Sequence, residues 1–128
     1  MSIIVEGLYY SKDHEWLRVD GDDAYLGITD HAQDALGDIV FSEGEPEGTV
    51  LSAGAAAGVV ESVKAASDVF SPVSGTVAAV NPDLSDTPEA INAEPYKTWF
   101  VKISLSDKSE LADLMDAKAY AQFCEEGN

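Results

Sequence analysis

The sequence predicts a mainly β protein, a sandwich or barrel of short antiparallel strands, and three observations support this fold class. Val-rich runs alternate with clusters of Gly, Pro, Asp and Ser. The strands that these runs predict recur about every 8–12 residues, as in all-β sandwiches and barrels. The chain has 128 residues, 45% of them hydrophobic, which suffices for a core. We therefore expect a single domain over residues 1–128.

The N-terminal part predicts a strand hairpin. The segment over residues 9–19 opens with a short strand and then alternates, with residues 16 and 18 on one face and residues 17 and 19 on the other. Residues 20–23 include Asp-Gly, a strong hairpin signal, and residues 24–28 form the return strand.

A short helix is predicted after this hairpin, over residues 29–37. Asp30 is the expected N-cap, with Gln33 in the capping-box position, and Gly37 is the C-terminal stop. Further strands are expected at residues 38–41, 49–51, 76–80 and 99–105, a small-residue loop at 52–58 and a helical turn at 89–92.

Residues 58–75 predict a hairpin with a lysine at its tip. Two Val-rich runs, residues 59–63 and 69–73, flank Lys64, and residues 64–67 form the expected turn. A lysine at a hairpin tip keeps its ammonium in water and its stem free for a partner. Such a lysine is ordinarily a solvated turn residue, so the local pattern alone assigns it no function.

The C-terminal segment, residues 107–126, predicts helix. Asp107 and Glu110 have capping-box spacing, and Asp116 begins a second segment. Tyr120 and Phe123 are spaced to share the buried face of that segment.

Acidic residues dominate the charge of this chain. There are 24 Asp and Glu against 7 Lys and Arg, which gives a net charge of −17. Such a surface excludes the usual electrostatic route to nucleic acids and disfavours binding to anionic membranes. It resembles the surfaces of proteins from salt-loving microbes, so we expect an acidic, halophilic protein.

Two further features bear on compartment and metal chemistry. No apolar run is long enough to span a membrane, and the N-terminus lacks signal or transit character. We expect a prokaryotic cytoplasmic protein, or a mitochondrial matrix protein if a transit peptide has been removed. Cys124 is the only cysteine, and no His or Cys is adjacent to it in the sequence, so no metal site is predicted.

Several motifs, in order along the chain, resemble the glycine cleavage system H-protein family. The lysine hairpin differs from biotinyl domains, which usually place the lysine between methionines, and from the Asp-Lys-Ala of 2-oxoacid dehydrogenase lipoyl domains. The segments that match the H-protein pattern are Asp13-His14-Glu15-Trp16, Gly27-Ile28-Thr29-Asp30-His31-Ala32-Gln33, residues 36–41, Glu61-Ser62-Val63-Lys64-Ala65, Pro72-Val73-Ser74-Gly75, residues 92–96, Trp99 and residues 120–123.

The resemblance implies a flattened barrel-sandwich of the lipoyl/biotinyl type: two antiparallel sheets, a short helix after the N-terminal hairpin and C-terminal helices. It implies a carrier without catalytic activity, with lipoate joined to Lys64 by an amide bond. The carrier would take the aminomethyl group of glycine from glycine decarboxylase (P protein) to aminomethyltransferase (T protein). It would pass electrons to dihydrolipoamide dehydrogenase (L protein). A lipoate ligase or octanoyltransferase would modify Lys64, and we expect a monomer.

The resemblance also implies two sets of supporting residues. Glu61 and Gly75 would serve recognition by the modifying enzyme. A cleft on the carrier would shelter the loaded arm, with six candidate lining residues: His14, Glu15, Thr29, Asp30, His31 and Asp68.

Two alternatives stay open at this point. Lys64 would act as a Schiff-base nucleophile if it were desolvated or had a cationic neighbour, but its charged sequence neighbours, Glu61 and Asp68, are acidic. Alternatively, an H-like protein would store lipoate or relay it to other acceptors, and the hairpin sequence does not distinguish this role from glycine cleavage.

Overall fold

The computed structural model describes residues 2–127, which fold into nine strands, three short α-helices and one 3₁₀ helix. The strands are β1 (Tyr9–Tyr10), β2 (Glu15–Asp20), β3 (Asp23–Ile28), β4 (Ile39–Gly44), β5 (Val50–Leu51), β6 (Ala56–Ser62), β7 (Ala66–Phe70), β8 (Gly75–Val80) and β9 (Val101–Leu105). The helices are α1 (Asp30–Leu36), α2 (Ala90–Ala93), the 3₁₀ helix (Lys108–Asp113) and α3 (Ala117–Glu125).

The strands form two antiparallel sheets, which confirms the predicted fold class. The larger sheet has the order β1-β2-β3-β9-β8-β5, and the smaller has the order β4-β6-β7. The two sheets are not closed into a barrel. Buried side chains of both sheets form the main core, among them Leu17, Leu26, Val60, Val69 and Ile103.

A second core lies on the other face of the larger sheet, because alternate residues of β2 point to opposite faces. Leu17 belongs to the main core, whereas Trp16 packs with Leu8, Tyr10 and Tyr120 of α3. The indole N–H of Trp16 donates to the carbonyl oxygens of Ile28 and Pro95, both at 3.0 Å. The C-terminal helix therefore completes a core that the sheet alone leaves open.

The lysine hairpin differs from its predicted strand bounds. The second strand covers Ala66–Phe70 rather than residues 69–73, and β6 already begins at Ala56, inside the predicted loop. Pairing along β6 holds the small and polar residues of β7 in the sheet, although they are weak strand formers alone. Pro72 lacks an N–H for a ladder, and the Ser71 hydroxyl turns the chain by donating to the Val73 carbonyl at 2.6 Å.

The helix termini are mostly as predicted, with three corrections. Thr29, not Asp30, is the N-cap of α1, because the Thr29 hydroxyl accepts from the Ala32 N–H at 3.2 Å. Gln33 is therefore not in the capping-box position, and its side-chain amide donates to the Asp30 carboxylate at 2.8 Å. Asp107 and Asp116 cap their helices as predicted. Glu110 makes no capping box; its carboxylate accepts from the N–H and the hydroxyl of Ser74 at 2.7 and 2.9 Å.

Candidate functional site

Lys64 lies at the tip of the hairpin formed by β6 and β7, as the sequence predicts. Glu61 pairs with Ala66, and residues 63–65 make the connection. The turn is therefore earlier and shorter than the predicted 64–67. Lys64 is exposed, so its amine and stem are accessible to another protein.

The hydroxyl of Ser62 fixes the backbone that presents Lys64. Its oxygen accepts from the N–H groups of Lys64 and Ala65, at 3.3 and 3.1 Å, and its proton goes to the Ala65 carbonyl at 3.2 Å. The Ser62 N–H donates to the same carbonyl at 2.7 Å. Sequence reasoning missed this role, although a serine directly before a turn is a known local signal for such bonding.

The junction between α1 and β4 contacts the base of the lysine turn and holds it in place. The Asp38 carbonyl accepts from the Val63 N–H at 3.1 Å. The Lys64 stem passes over Gly37, with Cε 3.6 Å from where a Cβ would stand. Asn92 holds the junction by donating to the Gly37 carbonyl at 2.9 Å. The base of the turn is thus anchored in the folded body, while the lysine itself is exposed.

Glu61 and Asp68 lie on the outer face of the smaller sheet, and both are exposed. Within residues 2–127, neither forms an ion pair with Lys64. The lysine is therefore not clamped by the two carboxylates. Its exposure also removes the desolvation that a Schiff-base lysine requires.

Gly75 begins β8 in the larger sheet and is buried. A Cβ there would collide with the backbone carbonyl of Ser104 and the side chain of Ile103. Close packing against β9 therefore accounts for a glycine at this position. Its role in recognition by a modifying enzyme stays a prediction.

Glu15 links the first hairpin to the lysine hairpin. It is only 2% exposed. One carboxylate oxygen accepts from the Ser11 hydroxyl at 2.8 Å, and the other accepts from the Phe70 N–H at the end of β7 at 2.7 Å. Burial raises the pKa of Glu15 from 4.5 to about 7, although these two hydrogen bonds oppose the rise. Both oxygens are thus already used within the protein.

His14, Thr29 and Tyr120 meet through one hydroxyl group. The Tyr120 hydroxyl lies 2.7 Å from Nδ1 of His14 and 2.7 Å from Oγ1 of Thr29. His14 has a φ of 64°, a left-handed conformation that is uncommon outside glycine. Burial lowers the pKa of His14, and the neighbouring His31 lowers it further against the opposing charge of Asp13. Burial raises the pKa of Tyr120.

The structure brings only some of the six predicted cleft residues together. The rings of His14 and His31 stack with centroids 4.2 Å apart, and Thr29 joins them through Tyr120. Asp30 turns to other partners, accepting from the Ile3 N–H and the Gln33 side-chain amide, both at 2.8 Å. Within residues 2–127, no hydrogen bond or ion pair joins Asp68 to this group.

Cys124 lies beside this histidine pair, which sequence reasoning did not foresee. One ligand atom from each of His14, His31 and Cys124 lies within 4.8 Å of the other two. No histidine is adjacent to Cys124 along the chain, whereas in space both His14 and His31 lie beside it. No local signal reveals the contact, because α3 brings Cys124 to residues about a hundred positions away.

Lys64 is thus an exposed lysine at the tip of a supported hairpin and forms no ion pair within residues 2–127, an arrangement that suits a carrier protein. Comparison with known proteins specifies the class. Residues 8–127 match the family model described as glycine cleavage H-protein. The glycine cleavage system H protein of Thermoanaerobacter pseudethanolicus is 54% identical over 123 residues, covering 96% of this chain and 98% of that protein. The H protein of Escherichia coli O45:K1 is 53% identical over 128 residues, covering 98% and 99% respectively.

The fold is also similar to that of a solved structure. A crystal structure of a glycine cleavage system H protein from Mycobacterium marinum superposes with a TM-score of 0.86 at 34% identity, covering 98% of this chain and 100% of that one. The chain therefore belongs to the glycine cleavage H-protein family. Its function is that of a lipoyl carrier protein of the glycine cleavage system, which is not itself an enzyme.

Three further predictions concern lipoate relay, adaptation to salt and membrane insertion. The lipoate-relay alternative is not favoured. The halophilic interpretation of the acidic surface receives no support from these comparisons. Among residues 2–127, no helix is both long and apolar enough to cross a membrane.

Proposed function

We propose that Lys64 is the residue that carries lipoate in this member of the family. The observation that supports this assignment is the exposure of Lys64 at the tip of a hairpin whose turn Ser62 holds in one shape. The family carries lipoate, and an exposed, unpaired amine fits amide formation with a carboxylic acid. When attached, lipoate supplies a disulfide on a long neutral arm that opens to accept a carbon fragment.

The chain's own contribution is to tether and present that arm. A fixed turn keeps the attachment point at one place on the surface, so the arm reaches successive partners at high effective concentration. The partners in this proposal are glycine decarboxylase, aminomethyltransferase and dihydrolipoamide dehydrogenase, with a lipoate ligase or octanoyltransferase for modification. The compartment is the prokaryotic cytoplasm, in line with the bacterial relatives.

Modification of the purified chain by a lipoate ligase tests the assignment. We expect peptide mass analysis to place one lipoyl group on Lys64 and none on the other lysines. The Lys64→Arg variant should accept no lipoate. Lys97→Arg is the matched control, since Lys97 is also exposed but pairs with Glu94 at 3.3 Å. Lipoate on any other lysine of the wild-type chain contradicts the proposal.

Glu61 and Gly75 belong to the same proposal as determinants of recognition by the modifying enzyme. Glu61 supports this role because it is exposed on the strand that enters the lysine turn. Gly75 contributes indirectly, by allowing β8 to approach β9 closely. Substitution of Gly75 should therefore lower stability together with the rate of modification.

A shelter for the loaded arm is the second part of the proposal, with the six residues His14, Glu15, Thr29, Asp30, His31 and Asp68. Asp68 supports it as an exposed carboxylate on the lysine hairpin, able to accept a charge-assisted hydrogen bond from a cationic amine. Glu15 supports it by holding Phe70 at the other end of β7. In that position Glu15 acts on the geometry of the hairpin rather than as an open acceptor.

Decay of the loaded carrier tests the shelter. Lipoylated protein is loaded by glycine decarboxylase, and formaldehyde release is followed for wild type, Asp68→Asn and Glu15→Gln. Faster release in the variants, with equal loading and with each variant folded at the pH of the assay, supports the shelter. Equal release rates remove both residues from it.

A further inference from the structure

Both histidines and the only cysteine of the chain converge at one place. The sequence contains two His and one Cys, and one ligand atom from each lies within 4.8 Å of the others. His14 precedes β2, His31 is in the first turn of α1, and Cys124 is in the last turn of α3. Three separate elements thus bring together three soft or borderline metal ligands.

The supporting contacts resemble those around metal-binding histidines. Metal-bound histidines usually donate a hydrogen bond from the ring N–H that does not bind the ion. Nδ1 of His14 is already hydrogen-bonded to the Tyr120 hydroxyl at 2.7 Å, which leaves Nε2 of that ring for an ion. His14 has an unusual left-handed backbone, with φ of 64°, and its ring stacks on the ring of His31.

Nδ1 of His31 is the observation that points most directly to a ligand. It is buried and has no hydrogen-bond partner within the part of the chain that the structure describes. Buried polar atoms are nearly always paired, since leaving one unpaired costs about 1–3 kcal/mol. A metal ion would satisfy this nitrogen.

An entry path leads to the group from solvent. An open pocket of about 320 Å³ is lined by Ser2, Ile4, His31, Ala121, Cys124 and Glu125. It is large enough for an ion with bound water, and it exposes the side on which His31 and Cys124 meet.

We propose that His14, His31 and Cys124 form a binding site for a Zn²⁺ ion, with water in the fourth position. Two imidazoles and a thiolate suit Zn²⁺, whereas Mg²⁺ and Ca²⁺ prefer sets of oxygen ligands. The stacked rings, at an interplanar angle of 15°, hold their nitrogen lone pairs in two nearly parallel planes, so the two rings do not point at one ion between them. Binding therefore turns one imidazole out of the stack, towards the ion.

The test uses the full chain with Lys64 unmodified, because Cys124 is then the only thiol present. Co²⁺ is titrated as a spectroscopic probe, followed by displacement with Zn²⁺. We expect a thiolate-to-cobalt absorption band that saturates at one ion per chain, that Zn²⁺ abolishes and that Mg²⁺ leaves unchanged. Because the arm is absent, the result is independent of the proposed lipoylation of Lys64.

Three variants identify the ligands. Cys124→Ser should lose the charge-transfer band. His14→Gln and His31→Gln should each weaken metal binding by at least about tenfold, because even the loss of a residue that only supports a metal ligand has an effect of that size. Asp20→Asn, at an exposed carboxylate of the first hairpin, is the control for binding to the acidic surface and should bind as wild type.

Circular dichroism of each variant establishes that it is folded. The proposal is overturned if folded Cys124→Ser binds Zn²⁺ as tightly as wild type. It is equally overturned if wild type shows no thiolate band at stoichiometric Co²⁺, or if both histidine variants titrate unchanged.

Discussion

The lysine turn and the cluster around Tyr120 are held together in opposite ways. At the turn, the hydroxyl of Ser62 bonds residues no more than three positions away, and Lys64 stays exposed. In the cluster, the hydroxyl of Tyr120 bonds His14 and Thr29, which are 106 and 91 positions away, and Tyr120 is fully buried. The proposed lipoylation site is therefore specified locally, whereas the part that stabilises the fold is specified over the whole chain.

Replacing Tyr120 by Ala tests the stabilising side of this contrast and should have the largest effect. The substitution removes the ring that stacks on Tyr10, with centroids 4.5 Å apart, and leaves a cavity under α3. Truncation of large buried aromatic residues costs about 3–5 kcal/mol. Urea unfolding of wild type and variant measures the loss.

Tyr120→Phe separates the hydroxyl from the ring. It should cost about 1–3 kcal/mol, because His14 and Thr29 lose a common buried partner. Tyr25→Phe is the matched control, since within residues 2–127 the structure gives the Tyr25 hydroxyl no hydrogen bond. If the two Tyr→Phe variants lose equal stability, the shared hydroxyl does not hold the cluster together.

Glu15 joins the two regions, and its effect should appear as a pH dependence. Its pKa of about 7 in the folded protein lies above the ordinary 4.5, so the neutral carboxyl is the form that folding favours. Its contribution is thus fully present below about pH 4.5 and is lost as pH rises through 7. From the difference between these two values, the loss is about 3 kcal/mol.

Unfolding free energies between pH 4 and pH 8, measured with EDTA present, test this prediction for Glu15. Glu15→Gln removes the titrating group and should have the smaller decline with pH. Asp68→Asn, which alters an exposed carboxylate, should keep the wild-type decline. An identical decline in Glu15→Gln and wild type would falsify the assignment of this pH dependence to Glu15.

Local specification explains what the sequence predicted well. The lysine tip, the stop at Gly37 and the caps at Asp107 and Asp116 all depend on residues within a few positions of each other. Turn and cap chemistry operates at that range, so a single sequence suffices to find these features. Even the error at the N-cap of α1 was one residue, Thr29 in place of Asp30.

Long-range contacts explain what the sequence did not predict. The contact between Cys124 and the histidines exists only after α3 has packed against β1. Glu110 was placed in a capping box by its spacing, but a serine on another segment, Ser74, takes its carboxylate. In each case tertiary packing, and not the local pattern, decides the contact. Hydrophobic periodicity does not indicate which distant residue a side chain will contact in the folded protein.

Ser62→Ala tests the local side of the comparison and should have a moderate effect. It removes the three hydrogen bonds that the hydroxyl makes at the turn, with a net cost of about 1 kcal/mol. We expect slower lipoylation of Lys64 as well, because the turn loses its fixed shape. Ser67→Ala is the control, since the exposed Ser67 hydroxyl donates only to the neighbouring Asp68 carbonyl at 3.2 Å. Equal rates and stabilities for the two variants would show that Ser62 does not define the turn.

Glu61→Ala should have the smallest effect on stability and is the sharpest test of the contrast. Glu61 is exposed on the outer face of β6 and, within the described residues, has no ion pair, so its loss should change the unfolding free energy by at most about 0.5 kcal/mol. If the lysine hairpin is a recognition surface, the rate of lipoylation should nevertheless fall, because the modifying enzyme loses a charge beside Lys64.

Glu43→Ala is the matched control for Glu61→Ala: Glu43 is an exposed glutamate on the same face, in the neighbouring strand β4. A slower rate in Glu61→Ala than in Glu43→Ala, at equal stability, separates recognition from folding at this surface. Equal rates would leave Glu61 as one solvated acid among the 24 acidic residues of the chain, and the specificity of modification would then depend on the turn itself.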